Sequence, residues 1–344
     1  MAIDADDIGG VVAGPNGPEA GVWVIAETDD LDTFYAKIVV TDDQGRYVVP
    51  DLPDADYDVW VRGYGLADSE KVAASPGNSV NLDAVIAPDA ATAAEVYPAI
   101  SWYAMMHVPT EEEVATLDGG LNYYLDKMKT NGCITCHQLG NAATRYVPEA
   151  YQNFETSEES WIRRVQSGQA GATMVQRLAA DLQGIPFKYL ADWTDRIAAG
   201  ELPTHVPERP QGLERNIVAT VRDWSEATAY MHDLISTDRR DPTVNPYGKI
   251  YGSPEHSTDD FPVLDPMANS ATTFRASVRA ADTPSAADVP PVQSSVYWGD
   301  ETIWDSRANS HNPMIDQDGR VWYTSRVRGP ETPAFCREGS DHPS

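Results

Sequence analysis

The chain has 344 residues, 42% of them hydrophobic, and a formal charge of −28 from 53 acidic and 25 basic side chains. That length supports two or three packed cores, and so acidic a surface repels phosphate backbones, which argues against nucleic acid as a partner. No apolar run reaches the length of a membrane span, and the opening Met1-Ala2-Ile3-Asp4-Ala5-Asp6-Asp7 has the acidic, non-apolar character that a secretory leader lacks.

Residues 1–7 read as a tail and 8–87 as short strands separated by turns. Gly21 to Ala26 is a strand candidate, and Lys37 to Thr41 and Arg46 to Val49 flank Asp42-Asp43-Gln44-Gly45, a hairpin with glycine where positive φ is wanted. Tyr57 to Arg62 alternates with period two, and Val80-Asn81-Leu82 follows the turn Ser75 to Asn78. Strands at this spacing predict a small antiparallel sandwich. Gly10-Val11-Val12, Gly21-Val22-Trp23-Val24, Thr41 to Tyr47 and Tyr57 to Val61 together resemble the carboxypeptidase regulatory-like, prealbumin-like fold. The resemblance implies a structural or binding module without catalytic machinery.

Residues 88–118 read as a linker. Asp89 to Glu95 is alanine-rich and favours helix. Tyr97 to Met106 is apolar and aromatic, a packing stretch; Met105, Met106 and His107 are less favoured as haem ligands.

Residues 119–202 hold the most specific signal, Cys133-Ile134-Thr135-Cys136-His137. Two cysteines separated by two residues and followed at once by histidine form the attachment sequence for a c-type haem. Each thiol adds to one vinyl group of the porphyrin, and the short spacing sets His137 beneath the ring as an iron ligand. The plainer alternative is a Cys-x-x-Cys redox pair or half a zinc site. Zinc would need two further soft ligands, and the one other cysteine, Cys336, is far along the chain. Covalent haem attachment implies export, in bacteria to the periplasm, so the chain is expected to begin near a mature N-terminus.

Around the motif, Leu121 to Met128 has helical apolar spacing. Glu158 to Ser167 reads as a second helix capped by Ser157, and Phe187 to Ala199 as a third stopped by Gly200, with Leu190, Trp193, Thr194 and Ile197 on one face. Cys133, Cys136, His137 and this terminal helix resemble a mono-haem class I cytochrome c. The resemblance implies an all-α domain and a distal methionine on a loop before the last helix, which here is Met174 after Gly168 and Gly171. Proline does not follow Met174 as it does in the commoner family pattern, and the alternative is a core position in the next helix. Met128, His205 and His232 are poorer rivals. Arg145, Trp161 and Arg164 are candidate donors to the haem propionates.

Residues 203–212 form a proline-bearing linker, and 213–344 return to short strands. Candidates are Asn216 to Trp224, Ala229 to Ile235, Asn245 to Gly252, Phe261 to Leu264 and Ala271 to Arg275. Asn245-Pro246 before Gly248-Lys249-Ile250-Tyr251 is echoed by Asn312-Pro313 before Gly319-Arg320-Val321-Trp322-Tyr323. The second copy is similar to the blade signature of streptogramin (virginiamycin B) lyase-like β-propellers. That implies an incomplete all-β propeller of about two blades, and the chain as the N-terminal part of a longer polypeptide. His311 with Asp305 or Asp316 is a catalytic pairing to weigh against ordinary turn residues, and the turn reading is preferred.

The expected function is one-electron transfer by an exported c-type cytochrome with a single haem, whose β-regions dock a redox partner, a basic protein by charge. The alternatives are the electron-draining part of a larger propeller enzyme, oxidoreductase or lyase-like, and a binding module with structural haem.

Overall fold

The structure, a computed structural model, describes residues 3–327, 329 and 331–341. The chain forms two compact units, Met1–Arg222 with Pro291–Asp300, and Asp223–Pro290 with Glu301–Ser344.

In the first unit, the strand Trp23–Thr28 lies between Phe34–Val40 and Tyr57–Arg62, antiparallel to both. Val72–Ala74 adds beyond Tyr57–Arg62, and Ala219–Asp223 takes the opposite edge beside Phe34–Val40. A second sheet centres on Ile8–Gly14, antiparallel to Arg46–Val49 and parallel to Leu82–Asp83. The period-two alternation explains their shared core. Val24, Ala26, Val59 and Val61 from one sheet meet Ile8, Val12, Tyr47 and Val49 from the other, all buried. The turn before Arg46–Val49 has Gly45 at φ +69° and the Asp42 carboxylate accepting from the Gln44 and Arg46 amides at 2.9 Å each, but it does not close the expected hairpin, because Phe34–Val40 and Arg46–Val49 pair in different sheets.

Helices follow: α1 (Ala90–Ala94), α2 (Ala99–Tyr103), α3 (Gly120–Lys129), α4 (Cys133–Cys136), α5 (Ala142–Arg145), α6 (Ser157–Val165), α7 (Gly171–Val175) and α8 (Ile185–Ala198). A π-helical turn, Gln176–Asp181, continues α7. Helix α6 starts one residue earlier than expected. Thr156 is the cap, because Glu159 three residues on closes a reciprocal capping box with it; Ser157 instead donates to Asp195 at 2.5 Å.

The predicted fold class, an all-β prealbumin-like sandwich, an all-α cytochrome c domain and an all-β partial propeller, is corrected by this architecture. The fold is mixed: among the described residues strands sit in several small sheets, none closed, and the first unit joins sheets and helices. An all-α cytochrome domain is not evident. Helices α4 and α5 have four residues each and α7 has five, too few to be stable alone. They are fixed by packing on one aromatic core, to which the stretch read as linker contributes Tyr97, Trp102, Tyr103, Met106, Val114 and Leu117. In the second unit, Asp233–Ile235, Ile250–Ser253, Asp260–Asp265 and Ser270–Arg275 pair in that order, and His311–Ile315 with Val321–Thr324 makes a separate hairpin. These strands leave open edges and do not close a ring. Among the described residues, no helix is long and apolar enough to cross a membrane.

Two features of the helical core carry tests. Trp193 is fully buried, donates its indole N–H to the Trp102 carbonyl at 2.8 Å, and meets Tyr103 edge-on. Trp193→Ala removes the ring and one of that carbonyl's hydrogen bonds, so it is expected to cost about 3–5 kcal/mol, read as a lowered urea midpoint. The second feature ties the 88–118 stretch to α8. Glu113 pairs with Lys188, accepts from the Tyr189 hydroxyl at 2.7 Å and from the Thr110 amide at 2.8 Å. The Lys188 ammonium foremost, with these donors, holds the Glu113 carboxyl down to about 2. Its stabilisation is therefore complete above the ordinary carboxylate value of 4.5 and is lost as pH falls from there towards 2. Glu113→Gln is expected to flatten the acid limb of the melting temperature in that window, in low salt, where surface pairs are least screened.

Candidate functional site

Helix α3 delivers the chain to the cysteine motif and is then turned sharply. The amides of Thr130 and Asn131 both donate to the Asp126 carbonyl, at 3.0 and 2.7 Å. Gly132 follows with its Cα against Lys127; a Cβ there would stand 2.0 Å from the Lys127 carbonyl oxygen. Glycine is thus required by close approach. Helix α4 is then a single turn, with the His137 amide donating to the Cys133 carbonyl at 2.9 Å and Thr135 Oγ1 to the Gly132 carbonyl at 2.6 Å. A helical turn puts residues three apart on one face, so both thiols share a side. His137 leaves the turn in extended conformation, φ −124° and ψ 132°.

The segment after the motif is clamped. Gly140, at φ +100°, passes so close to α2 that a Cβ would be 1.9 Å from the Ala99 carbonyl oxygen. Arg145, 3% exposed, stacks over Trp102 with 4.2 Å to the ring centre, donates to the Gly140 carbonyl at 3.0 Å and pairs with Glu95.

Cys133 is half-buried with its sulfur 4.0 Å from Met128 Sδ, and burial pushes its thiol pKa up. Cys136 is exposed, and neither is in a disulfide. His137 keeps an exposed side, yet the atoms crowding its ring, and then the Arg164 guanidinium, push the imidazole below its ordinary value. At neutral pH it carries a lone pair, the form that ligates metal. Met174 lies in α7 rather than in a loop and is half-buried against the same aromatic core as Cys133. Gly171 lets α7 start against the Gln166 carbonyl, where a Cβ would sit 2.3 Å away. Cys133 and Met174 therefore border one core, while His137 stands on the exposed side of the motif.

Two of the expected propionate donors are committed to the protein. Trp161 donates to Thr194 Oγ1 at 3.2 Å, and Arg164 to the carbonyls of Ala143, Thr144 and Tyr146. Arg145 keeps one buried N–H, Nε, without a partner; so do the Tyr124 hydroxyl and the Trp102 indole N–H in the same core. Each such group costs about 1–3 kcal/mol unless satisfied. Buried donors in the core that Cys133 borders, with Cys136 exposed, fit a group that brings apolar surface and carboxylates together, so the donor set is compatible with haem. A groove of about 430 Å³ lined by Asn153, Phe154, Ile162 and Gln166 lies on another face of α6 and includes none of Cys133, His137 or Met174.

The remaining candidates fall elsewhere. Met128 is fully buried, and His205 is exposed beyond α8. Asp316 caps its own hairpin turn, accepting from the Arg320 amide and the Trp322 indole, and Asp305 accepts from Ser285. His311 contacts neither; it meets Asp233 and Glu255. That grouping, with His232 beside it, was missed from sequence, because Asp233, Glu255 and His311 come together only through strand pairing. Cys336 is exposed and in no disulfide. Compared with known proteins, the chain matches no family model, and no curated protein is similar to it in sequence.

Proposed function

We propose that this chain is an exported c-type cytochrome that passes one electron at a time through a single haem held by Cys133 and Cys136. The observation that carries this reading is the motif's geometry: two cysteines three residues apart on an isolated helical turn, with a histidine immediately after. Cys133 and Cys136 would anchor the group covalently, His137 would ligate its iron from one side and Met174 from the other. When bound, the group supplies reversible one-electron exchange. Were His137 and Met174 both to ligate the iron, electron transfer would be favoured over chemistry on a small molecule. Gly140 and Arg145 hold the loop after His137 against α2, which would limit the imidazole's movement. The formal charge of −28 makes a basic protein the matching redox partner.

Spectroelectrochemical titration of the protein matured in an exporting, haem-attaching cell tests this. One reversible one-electron wave is expected. A protein that emerges colourless from such a cell overturns it.

A further inference from the structure

The second unit gathers a different set of ligating groups. The strand Asp233–Ile235 pairs with Ile250–Ser253 so that Asp233 faces Ser253, and the His232 amide donates to the Ser253 carbonyl at 3.0 Å. Two residues beyond Ser253, Glu255 turns into left-handed backbone, φ +45°, and bridges to Ser310. A glutamate in that conformation is strained, and the turn brings its carboxylate to the start of the strand His311–Ile315. The His232 and His311 rings end 4.0 Å apart, tilted by 47°.

The hydrogen bonds fix which nitrogen of each ring is protonated. Asp233 Oδ2 lies 3.0 Å from His232 Nδ1 and 3.2 Å from His311 Nδ1. A carboxylate only accepts, so both Nδ1 atoms carry hydrogen, and each ring in its metal-ligating form turns its Nε2 lone pair the other way. Those Nε2 atoms face Glu255, at 3.8 Å for His232 and 3.6 Å for His311, beyond hydrogen-bond reach. The Glu255 carboxylate is itself held by His256, whose Nε2 stands 2.9 Å from Oε1. Two lone pairs and an anion thus converge, with one ligand atom from each of His232, Glu255 and His311 within 4.8 Å of the others. With the rings in that form, acceptors so arranged repel one another unless a cation lies among them.

We propose that His232 Nε2, His311 Nε2 and the Glu255 carboxylate bind a divalent first-row transition-metal ion, zinc by preference, with Asp233 and His256 orienting the ligands from outside. Zinc ligands at 2.0–2.2 Å in tetrahedral arrangement stand roughly 3.3–3.6 Å apart, close to the separations here. Two imidazoles disfavour calcium and magnesium, which take oxygen. A carboxylate behind each ligating histidine is the usual support for such a centre. Three protein ligands leave a fourth position for water or a small ligand. The side chains of His232 and His311, 30% and 33% exposed, keep that position reachable, with Tyr230 beside His232 and Trp304 stacked on His256. This site is independent of the haem reading and uses none of its residues.

Equilibrium dialysis of the full chain against buffered free Zn²⁺ after chelator treatment, with metal content measured by mass spectrometry, tests it. One zinc per chain is expected to remain. His311→Gln and Glu255→Gln should each lose that equivalent, and Asp233→Asn should bind about tenfold to a hundredfold more weakly. The double variant Cys133→Ala, Cys136→Ala should keep it, which separates this site from zinc taken by the motif thiols. Circular dichroism confirms that each variant is folded. Retention of the equivalent by both folded ligand variants, its loss from the cysteine variant, or no zinc on the parent chain overturns the proposal.

Discussion

Protein carrying Cys133→Ala and Cys136→Ala together, expressed in an exporting, haem-attaching cell, is expected to contain no covalent haem, against one per chain for the parent. The reason is chemical: the two sulfurs are the sole covalent anchors the motif offers, and alanine cannot add to a vinyl group. The fold should survive. Cys133 is only half-buried, Cys136 is exposed, and the turn that carries them is held by backbone bonds from His137 to Cys133 and from Thr130 and Asn131 to Asp126. Alanine suits that helical turn at least as well as cysteine. Haem staining of a denaturing gel reads the result, and the single variants sharpen it. Cys136→Ala should leave one thioether through Cys133, so stain persists at reduced yield. Undiminished stain in the double variant would mean that the colour comes from non-covalent haem or from elsewhere.

Met174→His is expected to lower the midpoint potential by on the order of 100 mV or more, since a thioether favours ferrous iron and imidazole does not, and axial ligands span about 0.8 V in all. Met174→Leu preserves the apolar contact with the aromatic core but offers no lone pair. It should open the distal position, shifting the spin state and admitting exogenous cyanide. These readouts separate a ligand from a packing residue. If Met174 only fills the core, histidine there disturbs stability while leucine changes nothing, and the potential stays put in both. The point matters because α7 gives Met174 a regular helical setting, where a core role is the ordinary expectation, while the π-helical turn directly after it is of a kind often found at functional sites.

Local signals translated well into local structure. The alternation in Tyr57–Arg62 produced a strand, Asp42–Gly45 a tight turn, and the helical spacing of Leu121 to Met128 α3, but the strands on either side of that turn joined different sheets instead of pairing as a hairpin. Fold class did not follow, because it depends on pairings between remote segments. Nothing in Ala219–Asp223 announces that it flanks Phe34–Val40, about 180 residues earlier, as the edge strand of the N-terminal sheet. The 88–118 stretch looks like a linker because it has little periodicity, yet Val114 is wholly buried and Trp102 nearly so. Aromatic bulk, not pattern, puts it in the core. The cysteine motif was legible because its chemistry is confined to five consecutive residues. The His232, Glu255 and His311 cluster was not, because each residue reads locally as a strand end or turn.

The most direct measurement is the mass of the tryptic peptide containing Cys133 and Cys136, taken from protein matured in an exporting host and digested under denaturing conditions. It should be heavier than its sequence by one haem, with no thiol left to alkylate. An unmodified mass, with both cysteines alkylated, would contradict a haem-bearing role for this chain.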